Sequence, residues 1–320
     1  MPEKSDRSRV TVWFIRLSIS ALLLALIFYL VPFSEVWTAA LKISLPLWLG
    51  ALALFLTGHA AAAAKWRILI GGGISYRQAF RAHLAGLAAN LALPSVAGGD
   101  VVRAGLVMKH AEDKSRLAMG SIADRLLDTL GLALIALASG WIAWSSRLEA
   151  EIPIVWPLLG LLAAVAVGFV GARALDRLAK RREPSGKLAR LLVKLTHSAA
   201  ELSRNPGRLL LCLIISMAVQ CMFVGINIAF AEAAHVEAPV AAWFFAWTTA
   251  KIIAIAPISL GGLGVREASM AGLLSPFGAD PAQVVAIGLV WQSVLYASGL
   301  IGFLVQMRRP AAAKLTVEHS

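Results

Sequence analysis

The chain has 320 residues, of which 59% are hydrophobic and 15% are charged. Soluble globular domains carry roughly 25% charged residues, so this composition excludes that class and indicates a protein with several membrane spans. The 30 lysines and arginines outnumber the 18 acidic residues, but the excess lies in loops beside apolar runs. That distribution argues against a nucleic-acid partner.

Six apolar stretches are long enough to cross a bilayer core of about 30 Å, which takes roughly 20 helical residues. They are 10–31, 45–64, 117–143, 152–170, 209–231 and 284–307. The first follows basic residues, as a signal peptide would, but no convincing cleavage site follows it, so we expect a retained helix. Two further apolar segments, 76–108 and 240–274, remain to be placed.

A short element occurs once in each of these two segments, as PSVAGGDVVR at 94–103 and PISLGGLGVR at 257–266. The shared pattern is Pro-x-x-x-Gly-Gly-x-x-Val-Arg. Proline ends a half-helix, the glycines allow close backbone approach, and the next half-helix presents free N–H groups that attract anions. The pattern therefore predicts two interrupted helices with an anion-binding tendency.

Charge distribution orients the two segments. The positive-inside rule places the N-terminus, Lys65 and Arg67 in the cytoplasm, together with the segment 173–208, which has ten basic and three acidic residues. All of these basic segments lie on the cytoplasmic side if segment 76–108 enters and leaves the membrane from the cytoplasm. Segment 240–274 must then enter and leave from the external side.

We therefore predict an all-α integral membrane protein with about six transmembrane helices and two oppositely oriented re-entrant helical hairpins, forming an inverted repeat. Two kinked crossings, which would give eight helices, are the alternative. The predicted parts are an N-terminal membrane half (1–172), a basic cytoplasmic linker (173–208), a C-terminal membrane half (209–307) and a cytoplasmic tail (308–320). Both termini are expected in the cytoplasm, and the hairpins face the cytoplasm and the exterior respectively.

The two repeated arginines are the first candidate site residues. Each is expected in the first turn of a half-helix, where the helix dipole favours acidic residues and disfavours a positive side chain. An anionic partner would offset this unfavourable interaction. The predicted lipid phosphate-binding residues are Arg103, Arg266, Gly98, Gly99, Gly261 and Gly262, with Pro94 and Pro257 as hinges. A second interpretation stays open, because Asp100 or Glu267 could pair with the neighbouring arginine and make the element purely structural.

A third polar cluster lies in a predicted span. Asp124 and Asp128 are four residues apart, so they share a helical face, and Arg125 is beside them. A charge at the bilayer centre costs about 2.5–3.5 kcal/mol, so such groups face a cavity or pair, with snorkelling to the interface as the alternative. Lys251 is a candidate counter-charge. The predicted intramembrane polar or coupling residues are Asp100, Asp124, Arg125, Asp128, Lys251, Glu267 and Asn90.

One other polar residue is given a structural role. His59 is interpreted as a hydrogen-bonded interior histidine rather than a ligand. No metal-ligand spacing, nucleotide-binding loop or catalytic order occurs, so no metal, cofactor or catalytic residue is predicted.

Four segments resemble the flippase-like family that includes the transmembrane region of lysylphosphatidylglycerol synthases. They are AKWRILIGGG at 64–73, NLALPSVAGGDVVRA at 90–104, ADRLLD at 123–128 and PISLGGLGVREAS at 257–269. The resemblance covers about 10–307 and implies a cell inner-membrane protein that handles aminoacyl-phospholipid, hopanoid or polyprenyl-linked lipids. The synthases continue into a soluble aminoacyltransferase domain, whereas this chain ends shortly after its last span, so lipid synthesis is not expected.

The leading hypothesis is a lipid flippase or transporter that moves an anionic or phosphate-bearing lipid between leaflets and is not an enzyme. In this hypothesis Asp124, Asp128 or Glu267 is a candidate for proton uptake. One alternative is a membrane-embedded lipid transferase, with the same three carboxylates as candidate general bases. Another is a non-catalytic lipid-binding scaffold. The expected partners are membrane lipids and a lipid-modifying enzyme, and no nucleic acid.

Overall fold

The computed structural model describes residues 33–92, 96–108, 113–145, 197–202, 204–255 and 262–307, with the isolated positions 18, 25, 29, 111 and 193. The predicted span at 152–170, nearly all of 10–31, most of the basic linker and the tail lie outside these residues. Within them every regular element is helical. The prediction of an all-α membrane protein is confirmed.

Four helices are long and apolar enough to cross a membrane. A short helix, α1 (Phe33–Leu41), precedes the first of them, α2 (Leu45–Leu69). The other three are α5 (Lys114–Ser145), α6 (Pro206–Ala234) and α9 (Pro281–Met307). Three of the four have a proline at or next to the first helical position, where its missing N–H group costs no hydrogen bond. All four contain a predicted span and extend beyond it at one end or both.

Each of the two remaining apolar segments forms a pair of short helices. The first pair is α3 (Tyr76–Ala92) and α4 (Val96–Val107), and the second is α7 (Val240–Ile253) and α8 (Val265–Leu274). At about 1.5 Å per residue none of these helices spans a core of about 30 Å. The two members of each pair pack against each other. This is the arrangement of a hairpin rather than of a single kinked crossing.

Glycine allows close contact within the first hairpin. A Cβ atom added to Gly99 would lie 2.5 Å from the carbonyl oxygen of Gly86, so the two backbones leave no space for a side chain. The Asn90 side-chain oxygen accepts a hydrogen bond from Gly99 N at 2.9 Å, which ties α3 to the first turns of α4. Residues 93–95 of the first connection and 256–261 of the second, which include Pro94, Pro257 and Gly261, lie outside the described residues.

The two hairpins enter the bundle from opposite ends. Helix α3 begins where α9 ends, since Gln306 Nε2 donates to Arg81 O at 2.8 Å. Helix α7 begins near the end of α5, where the Phe245 ring lies against Gly140, and Ile252 packs deeper along the same helix. The start of α5 lies beside the start of α3 in one apolar cluster, which contains Ala79, Ala82 and Leu117.

The two halves exchange packing partners reciprocally. Helix α3 of the first half packs on α9 of the second, α7 packs on α5, and α2 packs on α6 between them. This exchange is expected of an inverted repeat in which α2 to α5 correspond to α6 to α9. At its centre is an aromatic cluster from α2, α6, α7 and α9 whose ring centroids are 5.0–6.3 Å apart. This central aromatic cluster consists of Phe55, Phe223, Trp247 and Trp291.

The α3–α9 contact provides a test of this packing. A methyl group at Gly302 would collide with the backbone carbonyl oxygen of Leu84. We expect Gly302→Ala to lower the free energy of unfolding by about 1–3 kcal/mol, as overpacking does. The measurement is the thermal unfolding midpoint of purified protein in detergent. The control is Gly225→Ala in α6, where an added Cβ meets nothing within 4 Å; equal midpoints for the two variants would contradict the α3–α9 packing.

Candidate functional site

Charged side chains in the first half of the bundle form a cluster in which cations and carboxylates are paired. Lys65 of α2 is 1% exposed. Its ammonium group lies 2.9 Å from Asp124 Oδ1, pairs also with Asp128, and donates to Ser216 Oγ of α6 at 2.8 Å. The first charged cluster consists of Lys65, Asp100, Arg103, Asp124, Arg125 and Asp128.

Arg103 connects the first hairpin to this cluster. Its NH2 group lies 3.0 Å from Asp124 Oδ2 and 3.3 Å from Asp100 Oδ1, and its guanidinium carbon lies 4.4 Å from the ring centroid of Trp66. Its NH1 group contacts His83 Nδ1 at 3.0 Å. The guanidinium is therefore held by α3, α4 and α5 and by an aromatic ring of α2.

The outer edge of the first charged cluster is a more exposed pair. Arg125 pairs with Asp100, and the Arg125 side chain is 47% exposed. The cluster contains three cations and three carboxylates, so it is formally neutral, as burial in a bundle requires. The structure thus brings together the predicted residues Asp100, Asp124, Arg125 and Asp128, and each of them is paired with a group of opposite charge.

The assignment of Lys65 to the cytoplasm is wrong. Lys65 lies in the last two turns of α2 with its side chain inside the bundle. The positive-inside rule counts basic residues by their position along the chain, so it does not detect a lysine that two carboxylates of another helix neutralise.

The second half contains a smaller cluster around the corresponding arginine. Glu267 is completely buried, accepts a hydrogen bond from Gly264 N at 2.8 Å and pairs with Arg266. Gly264 has φ +82°, a conformation that favours glycine, and the Glu267 side chain caps the start of α8 there. Arg266 NH2 also donates to Gln292 Oε1 of α9 at 3.1 Å. The second charged cluster consists of Arg266, Glu267 and Gln292.

Arg266 lies in the first turn of α8, but Arg103 is the eighth residue of α4, so the expected first-turn position is wrong for Arg103. Both repeated arginines are buried and paired with carboxylates. These contacts match the pairing interpretation in both copies, with Asp124 taking part in addition to Asp100 in the first. In each arginine the buried Nε–H group has no hydrogen-bond partner among the described residues. Each guanidinium thus keeps one donor for a further acceptor, and the predicted phosphate contact of Arg103 and Arg266 stays a prediction.

The described glycines of the repeated element have backbone roles. Gly99 sits at the close contact with α3, and Gly98 next to it is partly exposed. Gly262 has φ +81°, and a Cβ atom there would lie 2.9 Å from the Ala254 methyl group. A side chain at Gly262 would thus be strained and crowded, and Gly262 allows the chain to turn into α8.

Lys251 differs from the other cations of the interior. Its ammonium group donates to Gln220 Oε1 at 2.8 Å and lies 4.8 Å and 5.4 Å from the ring centroids of Trp247 and Phe223. Among the described residues no carboxylate oxygen lies within 4 Å of it. Lys251 is half-buried at the end of α7, so this charge is balanced by aromatic faces and an amide rather than by an acid.

Several site residues are missed by sequence analysis. They are Lys65, His83, Ser216, Gln220 and Gln292. In the sequence each of these residues is a polar side chain within an apolar segment. That pattern does not show which side chain of another helix it will contact. The interpretation of His59 as a hydrogen-bonded interior histidine is confirmed, since its Nδ1 lies 2.8 Å from His83 Nε2.

Comparison with known proteins identifies the family. The family model of the lysylphosphatidylglycerol synthase transmembrane region matches residues 13–302. The match covers most of the chain, so the chain belongs to this family, as the motif resemblance indicated. No curated protein matches the chain. Family membership and the four long apolar helices support a membrane protein with a lipid-related function.

The second charged cluster can be tested by removing one charge. Arg266→Met leaves the buried Glu267 carboxylate without its cation, and we expect a loss of about 3–5 kcal/mol in the free energy of unfolding. Adding Glu267→Gln removes the stranded charge and keeps an oxygen that can accept from Gly264 N, so the double variant should recover much of this loss. Unfolding midpoints in detergent compare the variants, and a single variant as stable as wild type would contradict the pairing.

Proposed function

We propose that the protein is a flippase that moves a lipid with an anionic or phosphate-bearing headgroup between the two leaflets. Membership of a family with a lipid-related membrane function supports the proposal. The observation that carries it is the presence of cationic side chains on two oppositely inserted hairpins inside one bundle. Transporters built from inverted repeats bind their substrates at the interface between the repeats, near the bilayer midplane.

Lys251 is the cation best suited to meet the headgroup first. Its charge has no carboxylate partner among the described residues, so an anionic headgroup would neutralise it. The Nε–H groups of Arg103 and Arg266 are buried and have no partner among the described residues, and they would supply two further donors to a headgroup that reaches them. Charge-assisted hydrogen bonds to phosphate are roughly twice as strong as neutral ones, so these three groups would favour an anionic lipid over a neutral one.

The carboxylates favour a transporter over a transferase. A general base must accept a proton from its substrate. Asp124 and Asp128 are paired with Lys65, and Glu267 is paired with Arg266 and caps α8. Because the three carboxylates are already engaged in these contacts, we assign them a role in positioning the helices. A separate lipid-modifying enzyme would then supply the lipid that this protein moves.

Two hairpins inserted from opposite ends also suggest how access could alternate. In this proposal one hairpin borders the interior from each side of the membrane. The two halves, which exchange packing partners through α3 on α9 and α7 on α5, would move relative to each other. A lipid shifts the equilibrium between an inward-facing and an outward-facing state only if it contacts the two states differently. We propose that Lys251 provides this difference.

Charge removal at Lys251 tests the flippase proposal. In proteoliposomes containing a trace of fluorescent phosphatidylglycerol, quenching of the outer leaflet measures the rate of lipid movement. We expect Lys251→Gln to slow this rate about tenfold, which corresponds to loss of about 1.4 kcal/mol, and Lys251→Arg to retain most of it. The control is Lys114→Gln at the exposed start of α5.

Other outcomes separate the alternatives. Equal rates for wild type and Lys251→Gln would refute the role of Lys251. Binding of the labelled lipid by wild type without any movement would support a scaffold, and a modified lipid product formed with a donor would support a transferase.

Membrane orientation can be tested separately. We propose an inner-membrane location with both termini in the cytoplasm, which places the α2–α3 loop inside and the α6–α7 loop outside. Single cysteines at Ser75 and Glu237, both exposed, should react with an impermeant maleimide from opposite sides. The background is Cys212→Ala with Cys221→Ala. Labelling of both sites in intact cells would contradict this orientation.

A further inference from the structure

The first charged cluster continues into a pair of histidines that the proposed function does not use. His83 of α3 contacts Arg103 through Nδ1 at 3.0 Å and His59 of α2 through Nε2 at 2.8 Å. The contact atom of His59 is its Nδ1. The three side chains form a chain of hydrogen bonds from the first hairpin to α2, and neither ring is fully buried.

The chemistry of arginine determines where the protons of this chain are. A guanidinium only donates hydrogen bonds, so His83 Nδ1 must be the acceptor and His83 Nε2 carries the proton. His83 Nε2–H then donates to His59 Nδ1, and the proton of neutral His59 is on its Nε2. The direction of every hydrogen bond in the chain is thereby set, and both rings are neutral.

A further proton cannot be added without breaking a contact. On His83 Nδ1 it would face an N–H donor of Arg103. On His59 Nδ1 the added proton would face His83 Nε2–H, so that two donors would meet. If the proton of His83 moved from Nε2 to Nδ1 to avoid this, it would face the Arg103 donor instead. Proton binding and the full set of hydrogen bonds are therefore mutually exclusive.

The charges around the histidine pair also oppose an added proton. Charged groups face it from four helices, namely Lys65 of α2, Arg103 of α4, Arg125 and Asp128 of α5, and Lys251 of α7. Helix α6 presents the Phe223 ring, 5.6 Å from the His59 ring, and α9 carries no charged residue. No described carboxylate bonds to either imidazole, so an added proton would stay on the rings and repel Arg103.

We propose that the His59–His83 pair is a proton-binding site whose occupation releases Arg103 from α3 and loosens the first hairpin. In the flippase proposed above, on which this step rests, proton binding would couple lipid movement to a proton gradient. The bond that breaks is Arg103 N–H to His83 Nδ1, and the proton enters from water on one side and leaves to the other. The pair would thus be the coupling-ion site of the transporter.

The hairpin movement can be tested without any lipid. Spin labels at Leu106 of α4 and Leu300 of α9, both exposed, report the distance between the first hairpin and the second half. In a Cys212→Ala and Cys221→Ala background we expect a second, longer distance as the pH falls from about 7 to about 3, a range that extends to low pH because four nearby cations oppose the added proton. The double variant His59→Asn/His83→Asn keeps an acceptor oxygen near each Nδ1 but binds no proton, so it should keep one distance.

The matched control is His235→Asn. His235 is exposed at the end of α6 with φ 60°, which asparagine tolerates, and this variant should respond to pH like wild type. A wild-type distance that does not change with pH would overturn the proposal. So would a pH response that survives in the double variant His59→Asn/His83→Asn.

Coupling is measured with fluorescent phosphatidylglycerol in proteoliposomes, with and without an imposed pH gradient. The gradient should accelerate lipid movement in wild type and His235→Asn, and this acceleration should be lost in the double variant His59→Asn/His83→Asn. Wild-type movement that ignores the gradient would overturn proton coupling and leave the flippase proposal intact. A pH-dependent distance in a protein that moves no lipid would support the proton site and refute the flippase.

Discussion

The pairing of charge inside an apolar bundle is the constraint on which the rest of the structure depends. A charge near the bilayer centre costs about 2.5–3.5 kcal/mol when it is inserted alone. The first charged cluster avoids this cost because Lys65, Arg103 and Arg125 each meet a carboxylate. These ion pairs join α2, α4 and α5, so the position of the first hairpin is determined by electrostatics as well as by the close contact of its glycines.

The two halves satisfy this constraint in different ways. Arg103 pairs with Asp124 on a different helix, whereas Arg266 pairs with the next residue in the chain and reaches α9 through the neutral side chain of Gln292. Hydrogen bonds to neutral groups are weaker than those between charged groups. The first hairpin is therefore held across helices by ion pairs and the second by an amide. Lys251, whose charge meets no carboxylate among the described residues, lies on the second hairpin. In the proposed flippase, such an asymmetry would give the two hairpins different roles.

Much of the fold could be predicted because its signals are local. The apolar runs that became α2, α5, α6 and α9 are visible in hydropathy, and the two repeated elements marked the hairpins. The i, i+4 spacing of Asp124 and Asp128 correctly placed both on one helical face. The same reasoning failed for Lys65, which reads as a loop residue after a span, because the carboxylates that neutralise it are far away along the chain.

Helix class, the repeated elements, the candidate charged residues and the family resemblance were determined by the sequence alone, because they depend on composition, periodicity and motifs. Only the tertiary structure decided which cationic side chain pairs with which carboxylate. It paired both repeated arginines, left Lys251 against aromatic rings, and connected His59 to Arg103 through His83. These contacts depend on the depth and rotation of helices that are distant in sequence, and no local pattern encodes either quantity.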